Sequence, residues 1–483
     1  MKSNYTQIIE AKTSQKIPLI NGISICSKYD PVKEAKIFAQ QYKITDLFFV
    51  IFGLGGGYHI KELLLINPDR KIIVVENCNE DFQFLRKIEC VKEITENSNV
   101  ILTTPENLFS NILNNYLPAI YGNLIISSLR SWENIFKEQL KVYNEIIEKV
   151  LDSVKRDFAV QNKFGKIWTK NIFENLKTAS GIDNNKIIEK IKKNNSMTAA
   201  IIAAGPSLDN SIKTLKENRK KYFIISTDTA FSTLIRNEII PDAVVSIDGQ
   251  NISYNHFLHS FDNFSNTFFI FDLCANSSVA KKIKQKNFDL MFFESGHPLC
   301  FFASNLSGKN FIHLTSGAGT VTIAATDLAY SLGFTNVEVF ANDFAYINGK
   351  PYTKGTYLDD LYSSKESKLS CRETSFAKLM YRTPLIKICD NKYTNTILIS
   401  YKETFENYLK TEKTLKTPPL NVFDYDKFIE KLKNELNLLN KDLYSNIKTP
   451  VFYTMLPLMA FLENKNPIEK SYELARSIFL RYN

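Results

Sequence analysis

The sequence predicts an α/β protein: two parallel-sheet domains, a helical connection between them, and a helical C-terminal region. Three observations carry this. Residues 47–52 are an unbroken apolar run, the pattern of a strand buried on both faces, followed by a glycine turn, a helix pattern and a second apolar run. From 199 to 340, six more short apolar runs alternate with amphipathic stretches, the order that builds a doubly wound parallel sheet. Between 132 and 193 strand patterning stops.

The elements follow in chain order. A helical stretch covers 31–42, the strand at 47–52 ends in Gly53-Leu54-Gly55-Gly56-Gly57, and a helix over 58–66 leads to a strand at 71–75 closed by Glu76. Another strand is expected at 99–102, which makes the N-terminal domain (1–130) Rossmann-like. A helical linker spans 131–196, where Val142, Ile146, Val150, Phe173 and Leu176 recur at helical spacing. The central domain (197–400) places strands at 199–204, 222–226, 243–247, 268–271, 290–293 and 337–340. Its helix over 320–332 is stopped by Gly333. Residues 401–483 read as helical, with Phe428, Leu432, Leu436 and Leu439 on one face.

Composition narrows the class. Hydrophobic residues at 44% and charged residues at 23% give a globular chain, neither disordered nor fibrous. The net charge is +9, but the 60 Lys and Arg are interspersed with 51 Asp and Glu, so no basic arm for nucleic acid is expected. The seven cysteines stand singly, without C-x-x-C pairs or histidines at zinc-ligand spacing, so neither a disulfide framework nor a metal site is expected. No stretch approaches the roughly 18–20 apolar residues of a membrane span, and no apolar leader opens the chain, which points to the cytoplasm.

The chemistry is expected at the strand ends. Gly205-Pro206-Ser207 joins a strand to a helix, where a glycine lets the backbone approach a phosphate and Ser207 is placed to cap the helix. Thr227-Asp228, Asp248-Gly249-Gln250, Thr315-Ser316-Gly317 and Asp343 also fall where strand patterns stop, and parallel sheets bind ligands beyond the carboxyl ends of their strands. In the N-terminal domain Gly53-x-Gly55 with Glu76 mimics a dinucleotide or S-adenosylmethionine site, but Tyr58 replaces the third glycine. Asn348-Gly349 reads as a hairpin turn, and Asp424-Tyr425-Asp426 as a helix cap rather than a metal motif.

Three blocks resemble a known family. Ala203-Ala204-Gly205-Pro206-Ser207-Leu208, the stretch from Ile240-Pro241-Asp242 through Ser246-Ile247-Asp248, and Asn342-Asp343-Phe344-Ala345-Tyr346 are similar to signature blocks of the bacterial motility accessory factors (Maf). These are glycosyltransferases that attach pseudaminic or legionaminic acid, both nonulosonic acids, to flagellin Ser/Thr. The same domain is similar to hydroxymethylpterin pyrophosphokinases and, more remotely, to bacterial sialyltransferases. The resemblance implies a sialyltransferase-like central domain taking a CMP-activated sugar as donor, with no further cofactor, and flagellin as partner. It implies donor contacts from Gly205, Pro206, Ser207, Thr227, Asp228, Ser316, Gly317, Thr320 and Asp343. It also implies that Tyr346 and Tyr352, six residues apart after Asp343-Phe344, act on the departing phosphate, although Ala345 is an extra residue there.

One departure follows. The sialyltransferases carry a general-base histidine after the tyrosine pair, whereas the last histidine here is His313. From position, Asp248 is the expected base, with Asp359, Asp360 and Glu373 behind it and His256, His259 and His297 available from loops. A Mg²⁺-dependent pyrophosphokinase and a non-catalytic flagellin chaperone are the competing readings, and the sequence leaves homo-oligomerisation open.

Overall fold

The computed structural model describes residues 2–258, 264, 266–305, 309–316, 320–416, 421–439, 449–463 and 468–481. The chain forms two compact units, one built from residues up to Lys163 with Leu456–Ala475, the other from Phe164–Leu439 with two short C-terminal pieces. The boundary between Lys163 and Phe164 falls inside the 43-residue helix Lys137–Ala179.

The first unit opens with strands β1 (Tyr5–Glu10), β2 (Lys16–Ile20) and β3 (Ile23–Ser24) in an antiparallel sheet of that order. β1 carries no strand pattern, because it buries only Tyr5 and so shows no two-residue alternation, and the apolar run of β2 is interrupted by Pro18. Four parallel strands follow: β4 (Phe48–Phe52), β5 (Lys71–Val75), β6 (Val100–Thr103) and β7 (Leu124–Ser128), ordered β6-β5-β4-β7. This is the strand order of a mononucleotide-binding half, as the Rossmann-like reading requires. β7 escaped notice because it is a partly exposed edge strand ending in two serines.

The second unit is built on seven parallel strands: β8 (Thr198–Ile202), β9 (Tyr222–Thr227), β10 (Ala243–Ser246), β11 (Phe268–Asp272), β12 (Leu290–Glu294), β13 (Ile312–His313) and β14 (Val337–Phe340). Their order is β13-β12-β11-β10-β9-β8-β14. Successive residues face opposite layers. Ala199, Ile201, Phe223, Ile225, Ala243 and Val245 pack with Ala324, Ala325 and Leu328, whereas Ala200, Ile202, Tyr222 and Ile224 pack with Leu208, Leu215, Ala230 and Leu234. A one-residue slip would exchange the two layers, so the cores, at about 1.5–3 kcal/mol per buried large side chain, fix the register.

The chain winds outward from β8 to β13, then returns through the helix Val321–Ser331 to lay β14 on the other side of β8. The reversal creates a crevice at the carboxyl ends of β8 and β14. A small antiparallel sheet of β15 (Tyr346–Ile347), β16 (Ile386–Cys389) and β17 (Lys392–Thr394), ordered β15-β17-β16, follows β14. Asn348 and Gly349, both at positive φ, form the expected two-residue turn between Ile347 and Lys350. The helices Thr396–Lys410, Tyr425–Asn437 and Ile468–Arg481 belong to the helical C-terminal region, and Asp424 caps the second of them. No described helix is long and apolar enough to cross a membrane.

Candidate active site

At the β8/β14 crevice the Gly205–Ser207 turn meets Asp343. The Asp343 carboxylate accepts the Ser207 N–H at 2.8 Å and the Ser207 hydroxyl at 2.6 Å. Ser207 therefore does not cap the helix Leu208–Glu217 with its side chain, as expected from sequence; a side chain from the next strand's loop takes the free amide instead. The glycine serves the same approach. A Cβ on Gly205 would lie 2.4 Å from both the Ala341 carbonyl oxygen and Asp343 Oδ2. Ala341 and Phe344 both adopt positive φ, so the loop that carries Tyr346 is held in a costly conformation by this contact.

On the strand next to β8, Thr227 ends β9 and Asp228 opens the helix Asp228–Arg236. The Thr227 hydroxyl donates to the Ile202 carbonyl at 3.1 Å. Asp228 is buried and accepts the Ser246 hydroxyl at 2.7 Å and the Thr229 N–H at 2.7 Å. Asp248, beyond β10, accepts the Gln250 N–H at 2.9 Å; burial pushes its carboxyl above the usual range, and Asp228 adds to the shift. The 3-10 turn Asn251–Phe257 then brings His256 into this group.

Tyrosines adjoin the group. Burial raises the Tyr352 hydroxyl, with further contributions from Tyr346, Tyr401, Tyr362 and Asp228. Burial pushes Tyr357 up to about 12, aided by Tyr352 and Asp248. Tyr346 is raised by burial against a smaller opposing effect of Asn395, whose Nδ2 donates to the Tyr346 oxygen at 3.1 Å. Each phenol thus stays protonated, and able to donate, throughout the neutral range. Tyr352, 37% exposed, also lines a cavity of about 410 Å³ with Lys350, Arg372, Phe376, Met380 and Tyr393. The sequence reading missed Tyr357, Tyr362 and Tyr401. A tyrosine at every fifth or sixth position from 346 to 362 was the available signal.

Ser316 and Thr320 lie past β13, at the far edge of the sheet from β14. Thr320 caps the helix Val321–Ser331 by accepting the Thr322 N–H, and that helix packs on β8, β9, β10 and β14. Gly317 lies outside the described residues, as does His259. Beside Ser316, the Thr315 N–H donates to Asp327, which also accepts the Tyr408 hydroxyl at 2.9 Å and Lys416 Nζ at 2.5 Å.

The other carboxylates considered as bases are engaged elsewhere or exposed. Asp359 pairs with Arg372 at 2.9 Å, Asp360 with Arg236 at 2.5 Å, and Glu373 is exposed. His297 accepts the Leu299 N–H and packs on Trp168, with burial pushing it down to about 3. Gly249 does not open space for substrate; a Cβ there would meet the Cys274 carbonyl oxygen at 2.7 Å and Trp168 at 3.1 Å. Asn171 and Asn175 of the long helix donate to the carbonyls of Gly249, Leu273, Cys274 and Ala275, so this helix braces the loops behind the site.

The N-terminal glycine turn is packed with the unit's own side chains. A Cβ on Gly53 would lie 2.8 Å from Trp132, on Gly55 2.8 Å from Leu129, and on Gly56 2.5 Å from Tyr58. Glu76, where a ribose would be held, accepts the Tyr5 hydroxyl at 2.7 Å, the Leu54 N–H at 2.6 Å and the Trp132 indole N–H at 2.9 Å. Burial nonetheless pushes its carboxyl from 4.5 to about 7, these hydrogen bonds opposing the shift. An acid whose pKa rises on folding contributes its full stability below the unfolded value and loses it as pH climbs through the folded one. We therefore expect the Glu76 contribution to fall by about 3 kcal/mol between about pH 4.5 and pH 8. Urea midpoints of the parent and Glu76→Gln across that range check this, and two parallel pH curves would refute it.

Residues 170–349 match the family described as 6-hydroxymethylpterin diphosphokinase MptE-like. A Treponema pallidum (strain Nichols) protein named only as uncharacterized is 33% identical over 222 residues, 44% of this chain and 75% of that protein. A second uncharacterized protein of the same organism is 35% identical over 140 residues, 29% of this chain and 64% of its own length. Among solved structures, the Maf glycosyltransferase from Magnetospirillum magneticum AMB-1 aligns with a TM-score of 0.52 at 13% identity, covering 100% of this chain and 91% of that one. At such identity the likeness is one of fold. Two of the resemblances read from the sequence are met, the Maf protein as a fold neighbour of the whole chain and the pterin-kinase-like family in its centre.

Proposed function

We infer that this chain, which belongs to one family with the Treponema pallidum protein and has the fold of a Maf glycosyltransferase, is itself a sugar transferase. The donor in this reading is a CMP-activated nonulosonic acid of the pseudaminic or legionaminic type. The acceptor is a Ser/Thr hydroxyl of flagellin, met in the cytoplasm, and no cofactor beyond the donor is required.

The observation that carries the reading is the group of protonated tyrosines, Tyr346, Tyr352 and Tyr357, gathered with Asp228 and Asp248 at the carboxyl edge of a parallel sheet. As the sugar's bond to phosphate breaks, its electron pair stays on the phosphate oxygen. Tyr346 and Tyr352 donate hydrogen bonds to that growing charge, a task for which neutral phenols suit. In this reading Gly205, Pro206 and Ser207, held in place by Asp343, wall the nucleotide beside Thr227 and Asp228, and the donor role the resemblance gives Ser316 and Thr320 requires the segment after β13 to reach back toward β8.

CMP is expected to raise the melting temperature of the chain more than NAD or Mg²⁺-ATP does, through a stabilisation of about 2.7 kcal/mol at a hundredfold excess over its dissociation constant. Intact-mass spectrometry of flagellin incubated with the chain and the CMP-sugar should then show one sugar mass per modified site. The family match over 170–349 favours one second reading, a diphosphokinase. A melting shift with Mg²⁺-ATP and none with CMP, together with AMP release, would replace the first reading by it. Flagellin binding without turnover of either nucleotide would leave a chaperone.

A further inference from the structure

His256 differs from the other described histidines in what surrounds it. The residue is 5% exposed, and its Nδ1 is buried without a hydrogen-bond partner. Its ring meets Tyr357 edge-on at 4.5 Å between centroids. The turn that carries it packs on the helices Asp228–Arg236 and Ser277–Gln285, with Phe257 wedged between Phe231 and Phe271. The first helix presents Asp228, the preceding loop presents Asp248, and Tyr357 covers the ring. From the helix Ser277–Gln285, Lys282 reaches Tyr254 of the same turn at 3.2 Å. By contrast, His313 already holds Glu294 at 2.7 Å, while His59 and His297 each also keep a buried Nε2 without a partner but have no carboxylate acting on the ring.

The carboxylates nearby are already acceptors: Asp248 for the Gln250 N–H, and Asp228 for the Thr229 N–H and the Ser246 hydroxyl. The Nδ1 lone pair of His256, by contrast, accepts no hydrogen bond. We propose that His256, rather than a carboxylate, takes the proton of the acceptor hydroxyl, with Asp228 and Asp248 stabilising the imidazolium that forms. This rests on the sugar-transferase reading.

Before reaction, burial holds the ring neutral, so a lone pair is available; the two carboxylates push the other way and favour the protonated ring once it exists. As the acceptor oxygen bonds to the anomeric carbon, its proton passes to Nδ1. The bond from that carbon to the donor phosphate breaks with its electron pair, CMP leaves, and the proton is released to solvent.

The test uses the full chain, CMP-sugar donor and purified flagellin. In His256→Asn and His256→Ala, transfer should fall by about 10²–10⁴-fold. The melting shift with CMP should persist, and free imidazole should restore part of the activity of the alanine variant. The acid limb of the parent pH–rate profile should vanish in the asparagine variant. Near-parent transfer, an unchanged acid limb, or loss of the CMP shift together with transfer would each overturn the assignment while leaving a sugar transferase. A parent that modifies no flagellin overturns both. Should the His256 variants not fold, ring titration of His256 by NMR decides. Its pKa should drop in Asp248→Asn, and a value unmoved from the parent's would refute the coupling.

Discussion

Tyr352→Phe should lower sugar transfer by about 10²–10³-fold, equivalent to roughly 2.7–4 kcal/mol, while the fold survives. Phenylalanine keeps the ring, so Tyr352's packing in the cavity beside Phe376 and Met380 is retained and only the O–H is lost. That O–H is the feature the surroundings preserve, because burial and the neighbouring Tyr346, Tyr401 and Tyr362 all oppose its ionisation. Tyr346→Phe removes a donor of the same kind but also leaves Asn395 without one partner. Asn395 Nδ2 still donates to Thr383 at 2.9 Å, so about 1 kcal/mol of stability is at stake there. Groups that act on one developing charge are not additive, and the double variant should lose less than the product of the two single losses. Steady-state turnover with CMP-sugar and flagellin, alongside melting curves, reads both effects. Parent-like turnover in both single variants would reduce the tyrosines to packing residues.

Much of the architecture was legible because parallel strands buried on both faces are written as continuous apolar runs. β9, β11, β12 and β14 each fall within a residue of where their runs lie, and the helix Tyr58–Ile66 matches its pattern at both ends. What escaped was mostly what lacks such a run: β1, β3 and β15 to β17 are short and little buried, β13 has two residues, and the apolar run of β2 is interrupted by Pro18. The candidate site divides the same way. Strand ends could be located from the runs, and with them the positions of Thr227, Asp228, Asp248 and Asp343. His256 could not be singled out, because its surroundings come from 228, 248 and 357 and only the fold brings these together. The close approach that Gly205 permits is filled by the Ala341 carbonyl and Asp343. A glycine turn shows that something approaches closely, and local sequence does not say whether that is a phosphate or the carboxylate of a residue 138 positions away.

Gly205→Ala turns that distinction into a measurement. If the glycine existed only to admit a phosphate, alanine would leave the ligand-free protein as stable as the parent and weaken nucleotide binding alone. The geometry gives a different expectation. The new methyl would lie 2.4 Å from the Ala341 carbonyl oxygen, which is backbone and cannot rotate away, and 2.4 Å from Asp343 Oδ2. Either the β8 turn or the loop after β14 has to move, and a forced shift of this kind costs about 1–3 kcal/mol. Movement also breaks the paired bonds from Ser207 to Asp343, charge-assisted contacts worth about 1.5–3 kcal/mol each when their partners are left behind. The combined cost is a few kcal/mol of stability without any ligand, visible as a lower urea midpoint. Because Asp343 starts the loop that delivers Tyr346, transfer should fall as well. Asp343→Ala should lose the same two bonds without the methyl clash, so its midpoint is expected between parent and Gly205→Ala. The double variant should recover little, since the Ala341 carbonyl remains in place. Midpoints of Gly205→Ala and the parent that coincide would return the glycine to a role in phosphate approach alone.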